Sequence, residues 1–159
     1  MWPRLAFVGA RRTGYYEIDE AIAVQIEREV AQLGHVDDVT WVEPTPDIER
    51  YFRAADIFVL PSVREAHPLA LLEAMACGLP CVATRLAGAT DVLITDGRNG
   101  RLFPADDEAA AADAMRDLLM DDRAASSMGA RARETVLGRY DIRRAANGWI
   151  SAYEEVLRA

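Results

Sequence analysis

Pro61-Ser62-Val63-Arg64-Glu65-Ala66-His67-Pro68-Leu69-Ala70-Leu71-Leu72-Glu73-Ala74-Met75-Ala76-Cys77-Gly78-Leu79-Pro80 is the stretch around which the rest of the chain is organised. The apolar run Ile57 to Leu60 precedes it and Cys81 to Ala83 follows it, each short enough for a buried strand. Between them the spacing predicts a helix starting near Pro68, because proline suits a first helical turn. Gly78 and Pro80 stop it. The predicted helix is apolar on nearly every side, as expected of one pressed into a core. Glu73 is the exception. Its carboxylate must find a hydrogen-bonding partner or sit at an opening, since burying an unpaired charge is very costly. Glu65 lies eight positions earlier, in the turn between strand and helix. In open parallel sheets that turn, at the carboxyl end of a strand, is where ligands bind. Two carboxylates are therefore expected at one crevice, beside free N–H groups of a helix start that favour anions.

Upstream, Leu5-Ala6-Phe7-Val8 is a continuous apolar run ending at Gly9, the pattern of a central parallel strand. The turn from Gly9 to Gly14 lacks the G-x-G-x-x-G spacing of a dinucleotide fingerprint. Arg11 and Arg12 could reach a phosphate there, although such residues are more often solvated. Ile18, Ile22, Ile26, Val30 and Leu33 recur at helical spacing, with Gly34 as the stop. Val39 to Val42 is the next strand, and within it Trp41 reads as core more readily than as a stacking platform. Thr45 is a natural N-cap with Pro46 at the first position of a helix through Ile48, Tyr51 and Phe52.

Downstream, the strand Cys81 to Thr84 leads into a short helical turn from Thr90 to Ile94. Asp96-Gly97 and Asn99-Gly100 are turn signals beside a last strand, Arg101-Leu102-Phe103. The final third is helical. Ala111, Met115, Leu118 and Leu119 mark one amphipathic helix, with Asp106, Asp107 and Glu108 at its positive end. Met128, Ala132 and Val136 mark a second. Ile142, Ala145, Trp149, Ile150, Tyr153, Val156 and Leu157 form a wide stripe on a third. Short apolar strands alternating with helical patterns predict an α/β, Rossmann-like doubly wound parallel sheet with a helical C-terminal tail, in a single domain over residues 1–159.

Composition narrows the function classes. A net charge of −8 disfavours broad nucleic-acid binding, which requires phosphate neutralisation. No apolar run approaches the roughly 20 residues that cross a bilayer, and the start is too short for a secretory signal, so the chain reads as cytoplasmic. Cys77 and Cys81, at a helix end and a strand start, read as buried free thiols. No Asp-x-Asp occurs, so no metal site is expected.

Glu65-x7-Glu73, set in Pro-Ser-x-x-Glu-x-x-Pro-x-x-x-Leu-Glu-Ala-Met-Ala-x-Gly-x-Pro, resembles the donor-site signature of retaining glycosyltransferases of the GT-B fold. That large group includes sucrose synthase and bacterial mannosyltransferases. The match runs upstream through Tyr51 to Leu60 and downstream through Val82 to Thr84, Ala87-Gly88 with Asp91, and Asp96 to Asp106. The resemblance implies that Glu73 holds the ribose hydroxyls of a nucleotide-diphosphate sugar. It makes Glu65 the catalytic residue, touching hydroxyls of the donor sugar near the reacting centre. Backbone N–H groups of Ala66, His67, Leu69 and Ala70 would bind sugar and diphosphate, whereas Pro68 has none to donate. Ser62 and Arg64 complete the implied donor set, and Pro44 and Thr45 would lie near the base. The family commonly has glycine where Ala66 stands. It also has two glycines and a glutamate where this chain has Ala87, Gly88 and Asp91.

No cofactor beyond the sugar nucleotide is implied. A complete enzyme of this type has a second, N-terminal Rossmann-like domain bearing the acceptor site. On this resemblance the chain begins at the second strand of the donor domain, and alone it is expected to be inactive. Its partners would be a nucleotide sugar, the N-terminal domain or a second chain, and a further copy of itself through the C-terminal helix. The alternative is a nucleotide-sugar-binding or regulatory module without transfer. A nucleotide-sugar epimerase of the same architecture is disfavoured by the Glu-x7-Glu context.

Overall fold

Strands and helices alternate along most of this chain, as the short apolar runs separated by helical periodicities require. The structure is a computed structural model describing residues 3–9 and 20–158. Arg11, Arg12 and Ile18 lie outside the described residues. The chain divides into two compact units, Met1–Ile48 and Glu49–Ala159.

In the first unit β1 (Leu5–Val8) pairs in parallel with β2 (Val39–Val42), Phe7 standing opposite Trp41. Their rings stack at 4.5 Å, so Trp41 is engaged within its own sheet. The apolar run of β1 suggests a central strand. Here, however, its one described neighbour is β2 and Leu5 is 46% exposed. An apolar run this short says that a strand forms, not that both faces are covered. Helix α1 (Glu20–Leu33) connects the two strands and ends at Gly34, whose φ of +76° only glycine adopts freely. After β2 the helix starts later than Thr45-Pro46 suggests: α2 is Ile48–Ala54. The Thr45 hydroxyl instead accepts the Asp47 N–H at 3.1 Å, a local turn that occupies the capping oxygen before the helix begins.

The second unit is built on a three-stranded parallel sheet of β3 (Phe58–Leu60), β4 (Cys81–Thr84) and β5 (Arg101–Phe103). β4 is central, and all four of its residues are buried. Helix α3 (Leu69–Ala76) crosses from β3 to β4. It is followed in sequence, after the sheet, by α4 (Glu108–Met120), α5 (Asp122–Arg139) and α6 (Ile142–Arg158). Asp107 and Asp121 cap α4 and α5 by accepting the N–H groups of Ala110 and Ala124. Val82 and Phe103 of the sheet pack with Ala114 and Leu118 of α4 and Ala125 and Met128 of α5. Helix α6 contributes nothing to this core: none of its residues is buried, and Trp149 is 66% exposed.

Candidate functional site

In a parallel sheet every strand delivers its following loop to the same edge. Leu60 pairs with Ala83, so the segment 61–68 after β3 and the segment 85–93 after β4 leave neighbouring strand ends together. The first carries Ser62, Arg64, Glu65, Ala66 and His67, and α3 starts directly behind it.

Pro68 occupies the cap position of α3 with extended backbone (ψ 94°) rather than the first turn. A proline has no side-chain acceptor, and no side chain caps this helix. The first backbone bond closed here runs from the Leu72 N–H to the Pro68 carbonyl, at 3.2 Å. The N–H groups of Leu69 and Ala70 therefore have no acceptor within the helix, the condition in which a helix start attracts an anion.

Helix α3 is not enclosed as its composition suggests. Leu71, Ala74 and Met75 are buried, but Leu69, Ala70 and Glu73 share an open face, Leu69 at 64% exposure. Of the two possibilities for Glu73, burial with a partner or a place at an opening, the structure has the opening. Its side chain has no hydrogen-bond or ion-pair partner among the described residues. Glu65 is half-buried and likewise has no such partner there. Both carboxylates are thus free to accept from a ligand, one in the loop and one a turn into the helix. Arg64 and His67 are exposed in the same loop, and Arg64 has no carboxylate within salt-bridge distance among the described residues.

The neighbouring segment is held by Thr90, Asp91 and Asn99; the family resemblance named Asp91, and the other two stood in sequence only as turn positions. Thr90 is fully buried. Its hydroxyl donates to the carbonyl of Thr84 at the end of β4 and accepts the Leu86 N–H at 2.8 Å. Asp91 turns its carboxylate inward on its own turn, accepting the Gly88 N–H at 2.8 Å, so one of its oxygens is already engaged. Asn99, also buried, accepts from the Thr95 N–H and donates to the Leu93 carbonyl and the Thr135 hydroxyl. Thr90 and Asp91 thus fix the segment on itself and on the end of β4, and Asn99 ties it to Thr135 of α5. For Asn99 the only signal in sequence was an Asn-Gly turn, which speaks for backbone geometry and not for burial.

Pro44 and Thr45 follow β2 in the first unit, both outside any helix or strand. Two concavities of the second unit do not include Glu65 or Glu73. One, of about 340 Å³, lies along Thr95, Arg98, Arg131 and Arg139. The other, of about 750 Å³, lies at the opposite sheet edge beside Phe52, Cys77 and Leu118. Cys77 is partly exposed there, against the expectation of a buried thiol, whereas Cys81 is buried; both are free. Among the described residues no group of His, Cys, Asp or Glu has an arrangement that could hold a metal ion, and no helix is long and apolar enough to cross a membrane.

Residues 3–121 match the sequence profile of the family described as glycosyl transferases group 1. N-acetyl-alpha-D-glucosaminyl L-malate synthase of Bacillus anthracis is 34% identical over 125 residues, covering 78% of this chain and 32% of that protein. The solved structure of sucrose-phosphate synthase from Thermosynechococcus elongatus superposes with a TM-score of 0.86 at 28% identity, covering 98% of this chain and 39% of its own. Anabaena Alr3699/HepE, solved in complex with UDP-glucose, shares the fold with a TM-score of 0.85 at 20% identity, over 96% of this chain and 41% of its own. The chain spans about a third of the length of the B. anthracis relative.

Proposed function

The chain belongs to the family of glycosyl transferases group 1, and on that premise we propose that its second unit binds the donor, a nucleotide-diphosphate sugar, for a retaining transfer of a hexosyl group. The observation that carries this reading is the pairing of an open, unpartnered Glu73 with an α3 start that no side chain caps. A carboxylate in the open accepts well from two vicinal hydroxyls, and Glu73 is assigned the ribose. Glu65, in the loop ahead of it, is assigned the hydroxyls of the donor sugar near the reacting centre. Rupture of the glycosyl–phosphate bond builds negative charge on the leaving diphosphate. The N–H groups of Ala66, His67, Leu69 and Ala70 are assigned to receive that charge, and Arg64 of the same loop is assigned to the donor. Such donors stabilise it without reorganising at the moment of reaction, so the reading is a metal-independent one.

Uracil is the first base to test, because the Anabaena neighbour was solved with UDP-glucose. Ser62 is assigned to the donor. Transfer also requires an acceptor surface, assigned to an N-terminal domain or a second chain, and a cytoplasmic setting supplies the sugar nucleotide. Titration calorimetry with UDP, GDP and ADP, each with and without a sugar, tests pocket and base preference together. No binding by any of the six would remove the reading. A transfer assay after joining an acceptor domain separates a transferase from a module that only binds.

A further inference from the structure

Tyr140 caps the C-terminal end of α5, its backbone N–H donating to the Val136 carbonyl at 2.8 Å. From there its side chain reaches both segments at the carboxyl edge of the sheet. The ring lies 6.3 Å from the imidazole of His67, tilted by 48°, in the loop after β3. The hydroxyl donates to the Val92 carbonyl at 3.2 Å, in the segment after β4. The Arg139 guanidinium lies over the ring at 5.5 Å from its centroid. His67 is exposed, and among the described residues its side chain makes no ring, hydrogen-bond or ion-pair contact besides this one.

We propose that Tyr140 is a positioning residue of the donor site: one side chain on α5 sets the 61–68 loop through His67 and the 85–93 segment through Val92. The proposal rests on the donor-site reading above. Loop amides that receive a developing charge must already point at it, and a loop free to drift loses that alignment. The 61–68 loop has no regular secondary structure, and the 85–93 segment is a run of turns anchored on itself by Thr90 and Asp91. Tyr140 adds a tie from the end of a packed helix to both, through the ring contact at His67 and the hydrogen bond at Val92. The contacts on which the proposal stands are those to His67 and Val92, so the effect of Tyr140 is expected to run through them.

The test uses the full chain and three variants, Tyr140→Phe, Tyr140→Leu and His67→Ala, with the Tyr140→Leu/His67→Ala double. Tyr140→Phe keeps the ring and removes only the hydroxyl, so it is expected to raise amide hydrogen exchange in 86–93 while 61–68 stays as in the parent. Tyr140→Leu should open both segments and weaken binding of UDP-glucose roughly three- to tenfold. It should add nothing at 61–68 once His67 is already alanine. A merely structural role would lower thermal stability and raise exchange across α5, with the two substitutions adding independently at 61–68; that result overturns the proposal. So does unchanged exchange in both segments of Tyr140→Leu. Should the parent bind no sugar nucleotide, the donor reading fails on that arm, while the exchange and double-variant arms still decide whether Tyr140 sets the two loops.

Discussion

A Cβ placed on Gly129 of α5 would stand 2.0 Å from the carbonyl oxygen of Gly78, the residue that ends α3. The helix and the turn into β4 touch backbone to backbone, and Gly78 holds a φ of +82° at the contact. Arg133 of α5 reinforces it by donating to the Ala76 carbonyl. Gly129→Ala must therefore push α5 away from α3, and is expected to lower stability by about 1–3 kcal/mol, the usual cost of overpacking. Gly138→Ala, in the same helix with open space around it, is expected to raise stability by about 0.5–1 kcal/mol. Urea unfolding of both variants checks the opposite signs.

Thr90→Val keeps shape and removes the hydroxyl. The Thr84 carbonyl and the Leu86 N–H then lose their partner in a buried place. The expected loss is about 1–3 kcal/mol, the cost of leaving buried polar groups unpaired. Thr90→Ser should recover most of it, and equal midpoints for the valine and serine variants in thermal melts would refute the bridging role.

Glu73→Gln should weaken UDP and UDP-glucose alike, because it removes a charge-assisted acceptor for the ribose common to both. Glu65→Gln should spare UDP and weaken the sugar nucleotide. Calorimetry with two ligands and two variants gives four losses, and four equal ones would contradict the division of roles.

Burial pushes the Cys81 thiol well above the ordinary thiol range, and Cys77 is raised as well, first by burial and then by the charge of Glu49. A native chain should therefore label slowly at Cys77 and not at Cys81 near neutral pH, since the thiolate is the reactive form. The sign for stability follows. The folded state keeps the Cys81 proton where the unfolded chain releases it, so this contribution is complete below about 8.5 and declines as pH rises past it. Rapid labelling of Cys81 in the folded chain, or stability rising over that range, would count against a sealed thiol.

Helix α6 leaves Ile142, Trp149, Tyr153 and Leu157 exposed along one stripe. Acrylamide should quench the fluorescence that Trp149→Ser removes as readily as that of a free tryptophan. Sedimentation should show concentration-dependent association of the parent that is lost in Trp149→Ser/Tyr153→Ser. A strictly monomeric parent with a protected Trp149 would mean the stripe is covered within the chain.

The elements of this fold, and the stretch on which the site stands, were legible in sequence because they depend on near neighbours. Apolar runs of strand length, helical spacing, Asp caps and glycines at turns are local signals, and Phe58–Leu60, Cys81–Thr84 and Arg101–Phe103 stand where those signals put strands. The Glu65-x7-Glu73 context identified the family for the same reason, since it lies within one loop and one short helix. Only the tertiary structure decided which side of α3 is open, because Leu69 and Leu71 are the same residue type and differ only in what packs against them. Likewise, nothing local distinguishes the buried Thr90 from a solvated threonine. Nothing local brings Gly129 to Gly78 or Tyr140 to His67 either. Those relationships arise when α5 docks on the sheet unit, and close packing between distant segments is a property of the assembled core rather than of any stretch of chain.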